Sequence, residues 1–203
     1  MSETKPFIYL ASQSPRRQQL LEQLGVGYAL LLPDASEDAE SLEAVLARET
    51  PLAYVARVTQ RKLDAALTRR VRHGLGDAPV LCADTTVVLG REILGKPADD
   101  NDAARMLAVL AGKTHRVLTA VALGTEQRRV QAISESRVTL TDMDAAQIQS
   151  YVTTGEPVGK AGAYAVQGRA AAFIRKISGS YTGIMGLPLY ETAQLMRNFG
   201  FEI

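Results

Sequence analysis

Two segments of the sequence carry residue types that suit phosphate chemistry. The first runs from Ser12 to Arg17 (SQSPRR) and places two hydroxyls and two arginines where a predicted strand gives way to a predicted helix. A helix N-terminus presents unpaired N–H donors and the positive end of the helix dipole, and guanidinium groups make charge-assisted hydrogen bonds to phosphate oxygens. Ser12, Ser14, Arg16 and Arg17 are therefore candidate phosphate ligands, although a well-capped helix with solvated arginines explains the same pattern.

The second segment is an apolar strand with one carboxylate in it, Asp84 within residues 81–89 (LCADTTVVL). A carboxylate in such a strand costs several kcal/mol unless a metal, a cation or the mouth of a cleft receives it. Asp84 is thus a candidate general base, metal ligand or both. Alternation along the strand leaves a second interpretation, in which Asp84 lies on a solvated face of the sheet.

Two lysines could add positive charge to such a site. Lys62 borders the apolar face of a long predicted helix, from which it could extend along the sheet or project into a cleft. Lys96 lies between Gly95 and Pro97, which fix the backbone beside a predicted hairpin. By itself, each lysine is more typical of the surface than of a ligand site.

Several familiar motifs are incomplete in this sequence. Residues 112–114 (GKT) end like a P-loop, but Leu107 occupies the position of the required earlier glycine. No Gly-x-Ser-x-Gly motif marks a hydrolase nucleophile. His73 and His115 are isolated and lack metal-ligand spacing. These absences leave the phosphate-binding interpretation as the most specific one.

Hydrophobic periodicity and breaker residues predict the elements that position these side chains. Strands are predicted at residues 7–11, 26–32, 80–89, 92–94, 115–123, 130–140 and 171–177. Helices are predicted at residues 14–25, 50–73, 99–112, 141–155 and 188–198. We expect Thr141 and Asp144 to form a capping box, Leu52 to face the core and Tyr54 to face away from it. The mixture and its hairpins predict an α/β chain: a mixed sheet, flanking helices and two lobes around a cleft.

Composition sets the protein class. The chain has 203 residues, 46% of them hydrophobic, and its 23 basic and 22 acidic residues nearly cancel. That balance gives no general attraction to nucleic acid or membranes, and no apolar run approaches a membrane span. Residues 1–6 are polar and short, without the apolar run of a signal peptide. We therefore expect a single domain over residues 1–203, located in the cytoplasm, with Cys82 as a buried reduced thiol.

The motifs together resemble the Maf family of nucleotide pyrophosphatases. The likeness covers residues 7–199, with the motifs in the family's order and spacing. The matching segments are residues 12–17 (SQSPRR), 83–85 (ADT), 95–97 (GKP), 160–168 (KAGAYAVQG), 179–181 (GSY) and 186–189 (GLPL). One departure is Cys82, where glycine is usual in the family; we expect its side chain to face the core.

The resemblance implies a fold similar to the inosine triphosphatase-like pyrophosphatases and a role in removing nucleotides, often discussed alongside arrest of cell division. By the family pattern, Asp84 is the proton acceptor. Arg17, Lys62 and Lys96 bind phosphates, and Glu37 of the acidic loop helps to hold a divalent metal cation, Mg²⁺ or Mn²⁺, with Asp84. The resemblance leaves a homodimer as an option.

Within the family, Arg16, Thr85 and Gln167 resemble the marks of the subgroup acting on dTTP and UTP; the sequence leaves open whether modified pyrimidine nucleotides are the true substrates. The Gln167 amide could donate to a uracil carbonyl and accept from the ring N3–H, which cytosine lacks. The alternatives are a 7-methyl-GTP pyrophosphatase, a non-hydrolysing nucleotide-binding regulator of cell division, and a phosphatase that releases orthophosphate.

Overall fold

The computed structural model describes residues 7–34, 37–38 and 41–203. The described residues form one seven-stranded sheet in the order β2-β1-β3-β5-β6-β7, with β4 paired to β3. The strands are β1 Phe7–Leu10, β2 Gly27–Leu30, β3 Val80–Leu89, β4 Glu92–Leu94, β5 Thr114–Gly124, β6 Arg129–Leu140 and β7 Ile174–Ser178. The helices are α1 Pro15–Glu22, α2 Pro51–Arg72, α3 Asp100–Leu110, α4 Ala145–Val152, α5 Tyr181–Met185 and α6 Leu189–Arg197.

The sheet is mixed, as the sequence predicts. β1 pairs in parallel with β2 and β3, whereas β3, β4, β5, β6 and β7 pair antiparallel. The parallel pairs are joined through α1 and α2, while the antiparallel pairs β3–β4 and β5–β6 are short-loop hairpins. This confirms the α/β fold class with flanking helices.

Helix α2 spans the middle of the sheet. The Thr50 side chain accepts a hydrogen bond from the Ala53 N–H at 3.2 Å, and Pro51 occupies the first helical turn, so the helix begins where predicted. The prediction for its first turn is wrong: Leu52 is exposed and Tyr54 is buried. The buried face follows the i, i+3, i+4 spacing from Pro51 through Tyr54 and Val55. Leu52 lies outside this face.

Two local predictions in the C-terminal half are corrected, and one helix there was missed. Helix α4 begins with a capping box between Asp144 and Gln147, so Thr141 takes no part in it. The last strand starts at Ile174 because residues Arg169–Phe173 form a 3-10 helix. The first two N–H groups of this helix donate to the Glu156 side chain. Helix α5 was not predicted; its N-cap Ser180 accepts from the Gly183 N–H.

Cys82 is fully buried and reduced, in the apolar cluster where α2 covers the sheet. Burial raises the pKa of its thiol to about 12. The expectation that its side chain faces the core is confirmed.

No helix in residues 7–34, 37–38 and 41–203 is long and apolar enough to cross a membrane. The prediction for residues 1–6 falls outside the described residues, as do residues 35–36 and 39–40 of the acidic loop.

A gap in the sheet lies beside Asp84. β1 pairs with β3 at Val80 and Leu81, and β4 pairs with it from Val87 onward. Between these points, within the described chain, β3 has a strand partner only on its β5 side. Because side chains alternate along a strand, Asp84 and Thr85 point to opposite faces. Both can nevertheless reach the space that the gap opens.

Candidate active site

A cavity of about 920 Å³ opens at this gap. Its lining comes from the β1–α1 connection, from α2 and β3, and from residues 158–167 and 184–186. The volume suits a nucleotide-sized ligand. All the residues predicted for the site line this cavity: Ser12, Ser14, Arg16, Arg17, Glu37, Lys62, Asp84, Thr85, Lys96 and Gln167. The lining agrees with the predicted cleft.

Asp84 is buried, with 8% of its surface exposed, and is charge-paired at the cavity wall. Its Oδ1 accepts a hydrogen bond from Lys62 Nζ at 2.6 Å. Among the described residues, its Oδ2 accepts only a long bond of 3.4 Å from the Thr86 hydroxyl. The two oxygens therefore differ: one is held by a cation, and the other is available to a ligand or water.

Glu43 joins the two lysines and was not identified from the sequence. Its Oε1 accepts from Lys62 Nζ at 2.7 Å, and its Oε2 accepts from Lys96 Nζ at 3.0 Å. Burial would raise the pKa of Glu43, but the two ammonium groups outweigh burial and hold this pKa below its ordinary range. The residue lies in a short 3-10 segment, Ser41–Glu43, of an irregular loop. No periodicity or motif singles it out there.

Arg17 extends the site to the other face of β3. Its guanidinium donates to the Gly186 carbonyl at 2.7 Å, to Ser12 Oγ at 3.2 Å and to Thr85 Oγ1 at 3.5 Å. Burial lowers the pKa of Arg17, and the nearby charge of Asp84 opposes this effect. Lys62 thus contacts Asp84 on one face while Arg17 contacts Thr85 on the other, and the gap lets one ligand touch both.

The Ser14 hydroxyl at the N-terminus of α1 is not used for hydrogen bonding within the described chain. Ser14 is the N-cap residue, as predicted, but its hydroxyl makes no capping bond. The Ser14 hydroxyl oxygen is buried and has no hydrogen-bond partner among the described residues. Arg16 donates to the Met185 carbonyl at 3.2 Å and is half-buried. Lys160, which the sequence did not single out as a ligand, lines the same cavity, and burial followed by the charge of Arg16 lowers its pKa.

Gln167 is exposed in the cavity at the end of residues 158–167. Its amide makes no hydrogen bond to any part of the chain that the structure describes. It is free to bond to a ligand.

The predicted metal ligands are not equally accessible. Both oxygens of Glu37 accept from Arg69, at 2.7 and 2.5 Å, and Arg72 adds a bond of 2.7 Å. These hydrogen bonds, with that from Arg69 the strongest, lower the pKa of Glu37. No group of three or more His, Cys, Asp or Glu side chains within residues 7–34, 37–38 and 41–203 could hold a metal ion. Mg²⁺ commonly binds one or two carboxylates and completes its shell with substrate phosphates and water, and Asp84 fits that pattern.

The arrangement suits a polyphosphate. The four cations predicted for the site, Arg16, Arg17, Lys62 and Lys96, line one cavity together with Lys160. Their positive charge attracts the roughly four negative charges of a nucleoside triphosphate, while the carboxylates of Glu43 and Asp84 neutralise part of it. Asp84 lies among these cations, and its Oδ2 is only weakly bonded by the residues that the structure describes. Such a site can bind phosphates and orient or deprotonate a water next to them.

Comparisons with known proteins agree with this geometry. A family model described as Maf-like protein matches residues 7–199. A dTTP/UTP pyrophosphatase of Albidiferax ferrireducens is 68% identical over 97% of this chain and 98% of its own length. A dTTP/UTP pyrophosphatase of Polaromonas sp. is 66% identical over the same shares. Among solved structures, the Ham1 protein of Staphylococcus aureus aligns with 67% of this chain and 72% of its own chain, at 12% identity and a TM-score of 0.42. This similarity is too low to support an inosine triphosphatase-like fold. That fold stays a prediction from the sequence.

Proposed function

The chain belongs to the Maf family, and from that premise we propose that it hydrolyses dTTP and UTP to the nucleoside monophosphate and pyrophosphate. The proposal is supported by relatives named dTTP/UTP pyrophosphatase at 66–68% identity over nearly the whole chain. The observation that carries it is the placement of Asp84 in a cavity with the four cationic side chains described above.

In this proposal the cations bind the triphosphate from both sides of the sheet gap. The Glu43 carboxylate lies between Lys62 and Lys96, and in this proposal a phosphate takes its place. Arg17 and Arg16 bind from the α1 side, where the free Ser14 hydroxyl adds a donor and the Ser12 hydroxyl orients the Arg17 guanidinium.

Asp84 then acts on the attacking water. Because Lys62 holds Oδ1, the weakly bonded Oδ2 is the atom that accepts the proton. The water attacks the α-phosphorus in line with the bond to the β-phosphate, and pyrophosphate leaves. The cations around the leaving group stabilise its developing charge.

A divalent cation, Mg²⁺ or Mn²⁺, belongs to the proposal. Asp84 is the residue that would hold it, and because Lys62 already binds Oδ1, the ion and the proton of the water would compete for Oδ2. Glu37 would join only after leaving Arg69 and Arg72. When bound, the ion would neutralise phosphate charge and polarise the P–O bonds. The family's role for Glu37 therefore remains a prediction.

The base is selected at the other end of the cavity. Gln167 would donate to a uracil or thymine carbonyl and accept from N3–H, with Thr85 and Arg16 completing the subgroup pattern. Cytosine presents an acceptor at N3, so two acceptors would face each other.

The decisive experiment incubates the protein with dTTP, UTP, CTP or 7-methyl-GTP and Mg²⁺ or Mn²⁺, and identifies the inorganic product. Pyrophosphate from dTTP and UTP is expected. Orthophosphate would indicate a phosphatase, preference for 7-methyl-GTP would indicate the sister subgroup, and tight binding without product would indicate a regulator. Location in the cytoplasm, absence of nucleic-acid and membrane partners, and a homodimer stay predictions from the sequence.

A further inference from the structure

The segment that carries Gln167 is held on both sides by one side-chain relay. Two residues before Gln167, the Ala165 N–H donates to the Tyr151 hydroxyl at 3.3 Å. Two residues after it, the Arg169 N–H donates to Glu156 Oε2 at 2.9 Å. Tyr151 in turn donates to Glu156 Oε1 at 2.7 Å, which closes the relay.

Glu156 is the centre of this relay. Its carboxylate also accepts from the Ala170 N–H at 3.3 Å, so it takes the first two N–H groups of the 3-10 helix Arg169–Phe173. Burial would raise the pKa of Glu156, but the donors from Arg169, Tyr151 and Ala170 outweigh burial and lower it. These hydrogen-bond donors therefore stabilise the ionised form of the Glu156 carboxylate.

Gly168 leaves the space that the carboxylate fills. A Cβ at this position would lie 2.3 Å from Glu156 Oε2 and 2.4 Å from Oε1. The φ of Gly168 is −106°, so the glycine is needed for the approach of Glu156 and not for an unusual backbone angle. The residue next to Gln167 is therefore fitted to Glu156.

We propose that Glu156 is a positioning residue for base selection, which fixes the backbone on either side of Gln167 so that its amide meets the pyrimidine in one orientation. Glu156 touches no substrate itself. The inference rests on the proposed function, because it concerns the base that this cavity accepts. The proposal gives Glu156, which lies outside the proposed phosphate site, a part in the discrimination between uracil and cytosine.

The test compares UTP with CTP in four proteins: wild type, Glu156→Gln, Gln167→Ala and the double variant. The glutamine keeps the size of Glu156 but offers a single acceptor oxygen, so the UTP-over-CTP ratio of kcat/KM should fall about tenfold, the worth of one to two hydrogen bonds. Gln167→Ala should lower the same ratio. In the double variant the ratio should fall no further than in Gln167→Ala alone, because Glu156 acts through Gln167.

Tyr151→Phe provides a milder variant in case Glu156→Gln does not fold. It removes only the hydroxyl that links Ala165 to Glu156, and it should lower the UTP-over-CTP ratio by roughly threefold. Glu49→Gln is the matched control: its carboxylate accepts from Arg57 and the Leu46 N–H in another part of the chain, so the ratio should not change even if the melting temperature does.

A merely structural role for Glu156 predicts equal losses of kcat/KM for UTP and CTP, and therefore an unchanged UTP-over-CTP ratio. That result would overturn the inference. Additive effects of Glu156→Gln and Gln167→Ala on the ratio in the double variant would overturn it as well. The UTP-over-CTP ratio of dissociation constants is measured in parallel by equilibrium binding. Absence of pyrophosphate release by the wild type would count against the proposed function, while the binding ratio would still decide the role of Glu156.

Discussion

At the scale of single residues, the two oxygens of Asp84 explain how one carboxylate can be both held and reactive. Lys62 holds Oδ1 at 2.6 Å, whereas Oδ2 has, within the described part of the chain, only the 3.4 Å bond from Thr86. The ion pair at Oδ1 orients the side chain and leaves Oδ2 for the proton that the proposed function assigns to it. The buried carboxylate is thereby compensated, which resolves the cost expected for it from the sequence.

We expect Asp84→Asn to lower kcat for pyrophosphate release by at least ~100-fold, because an amide cannot accept the proton. The dissociation constant for dTTP should change modestly. Asp64→Asn is the control, since Asp64 on α2 pairs with Arg129 at 3.0 Å at a half-exposed position. Steady-state kinetics and equilibrium binding check both variants. Full turnover by Asp84→Asn would remove Asp84 from the mechanism.

At the scale of elements, the loop before α2 places its own carboxylate between two lysines of the cavity. Glu43 bonds to both Lys62 and Lys96. The Tyr54 hydroxyl donates to the Glu43 carbonyl at 2.9 Å, which anchors the 3-10 segment to α2. On the proposed function, a triphosphate would displace this carboxylate, and the loop would compete with the substrate.

Glu43→Gln should therefore bind dTTP or pyrophosphate more tightly, by roughly three- to tenfold, because the neutral amide releases the lysines at lower cost. Isothermal titration provides the measurement. Asp38→Asn removes the same charge from the same loop, but Asp38 Oδ1 contacts only the Ser41 N–H among the described residues, so a smaller gain is expected. Weaker binding by Glu43→Gln would mean instead that Glu43 helps to hold the ligand.

The turn at Gly162 fixes the other wall of the cavity. Its φ is +70°, and a Cβ there would lie 2.9 Å from both γ-carbons of Val87 on β3. The Gly162 N–H also donates to the Gly95 carbonyl at 3.0 Å, next to Lys96. A side chain at this position would push apart two segments that line the site.

Gly162→Ala should lower the free energy of unfolding by roughly 2–4 kcal/mol, from the left-handed backbone and the clash together. Gly155→Ala separates the two causes, since Gly155 has a φ of +71° and open space around a Cβ, and about 1 kcal/mol is expected there. Denaturant unfolding measures both. Equal losses in the two variants would show that Val87 yields to the new methyl group.

At the scale of the whole molecule, His115 couples folding to pH. It is 2% exposed at the start of β5, and its Nε2 lies 2.8 Å from the Tyr164 hydroxyl. Burial lowers the pKa of His115 to about 4 from its ordinary value of 6.5. His115 therefore becomes protonated near pH 6.5 in the unfolded chain but only near pH 4 in the folded protein.

The free energy of unfolding should accordingly be highest above pH 6.5 and fall by up to about 3 kcal/mol as the pH decreases from 6.5 to 4. His115→Gln should flatten this part of the profile, while His73 remains in both proteins as the internal control. Urea unfolding at a series of pH values makes the comparison. The same slope in wild type and variant would show that His115 is not the group responsible.

Local sequence patterns predicted most of the elements and indicated phosphate chemistry, which the resemblance to a family made specific. The helical stripe of α2, the apolar run of β3 around Asp84 and the α1 N-terminus after Ser14 are short-range features, because they depend on residues within a few positions of one another. The first turn of α2 and the Arg169–Phe173 helix escaped prediction, since contacts from outside the segment decide them.

Only the tertiary structure decided how the site is assembled. The gap beside Asp84 arises because β1 and β4 pair with opposite ends of β3. Arg17 bonds to Gly186, 169 positions away in the chain, and Glu43 meets Lys96 across 53 positions. Side chains so far apart in sequence leave no periodic signal, because their meeting depends on how the whole sheet is ordered.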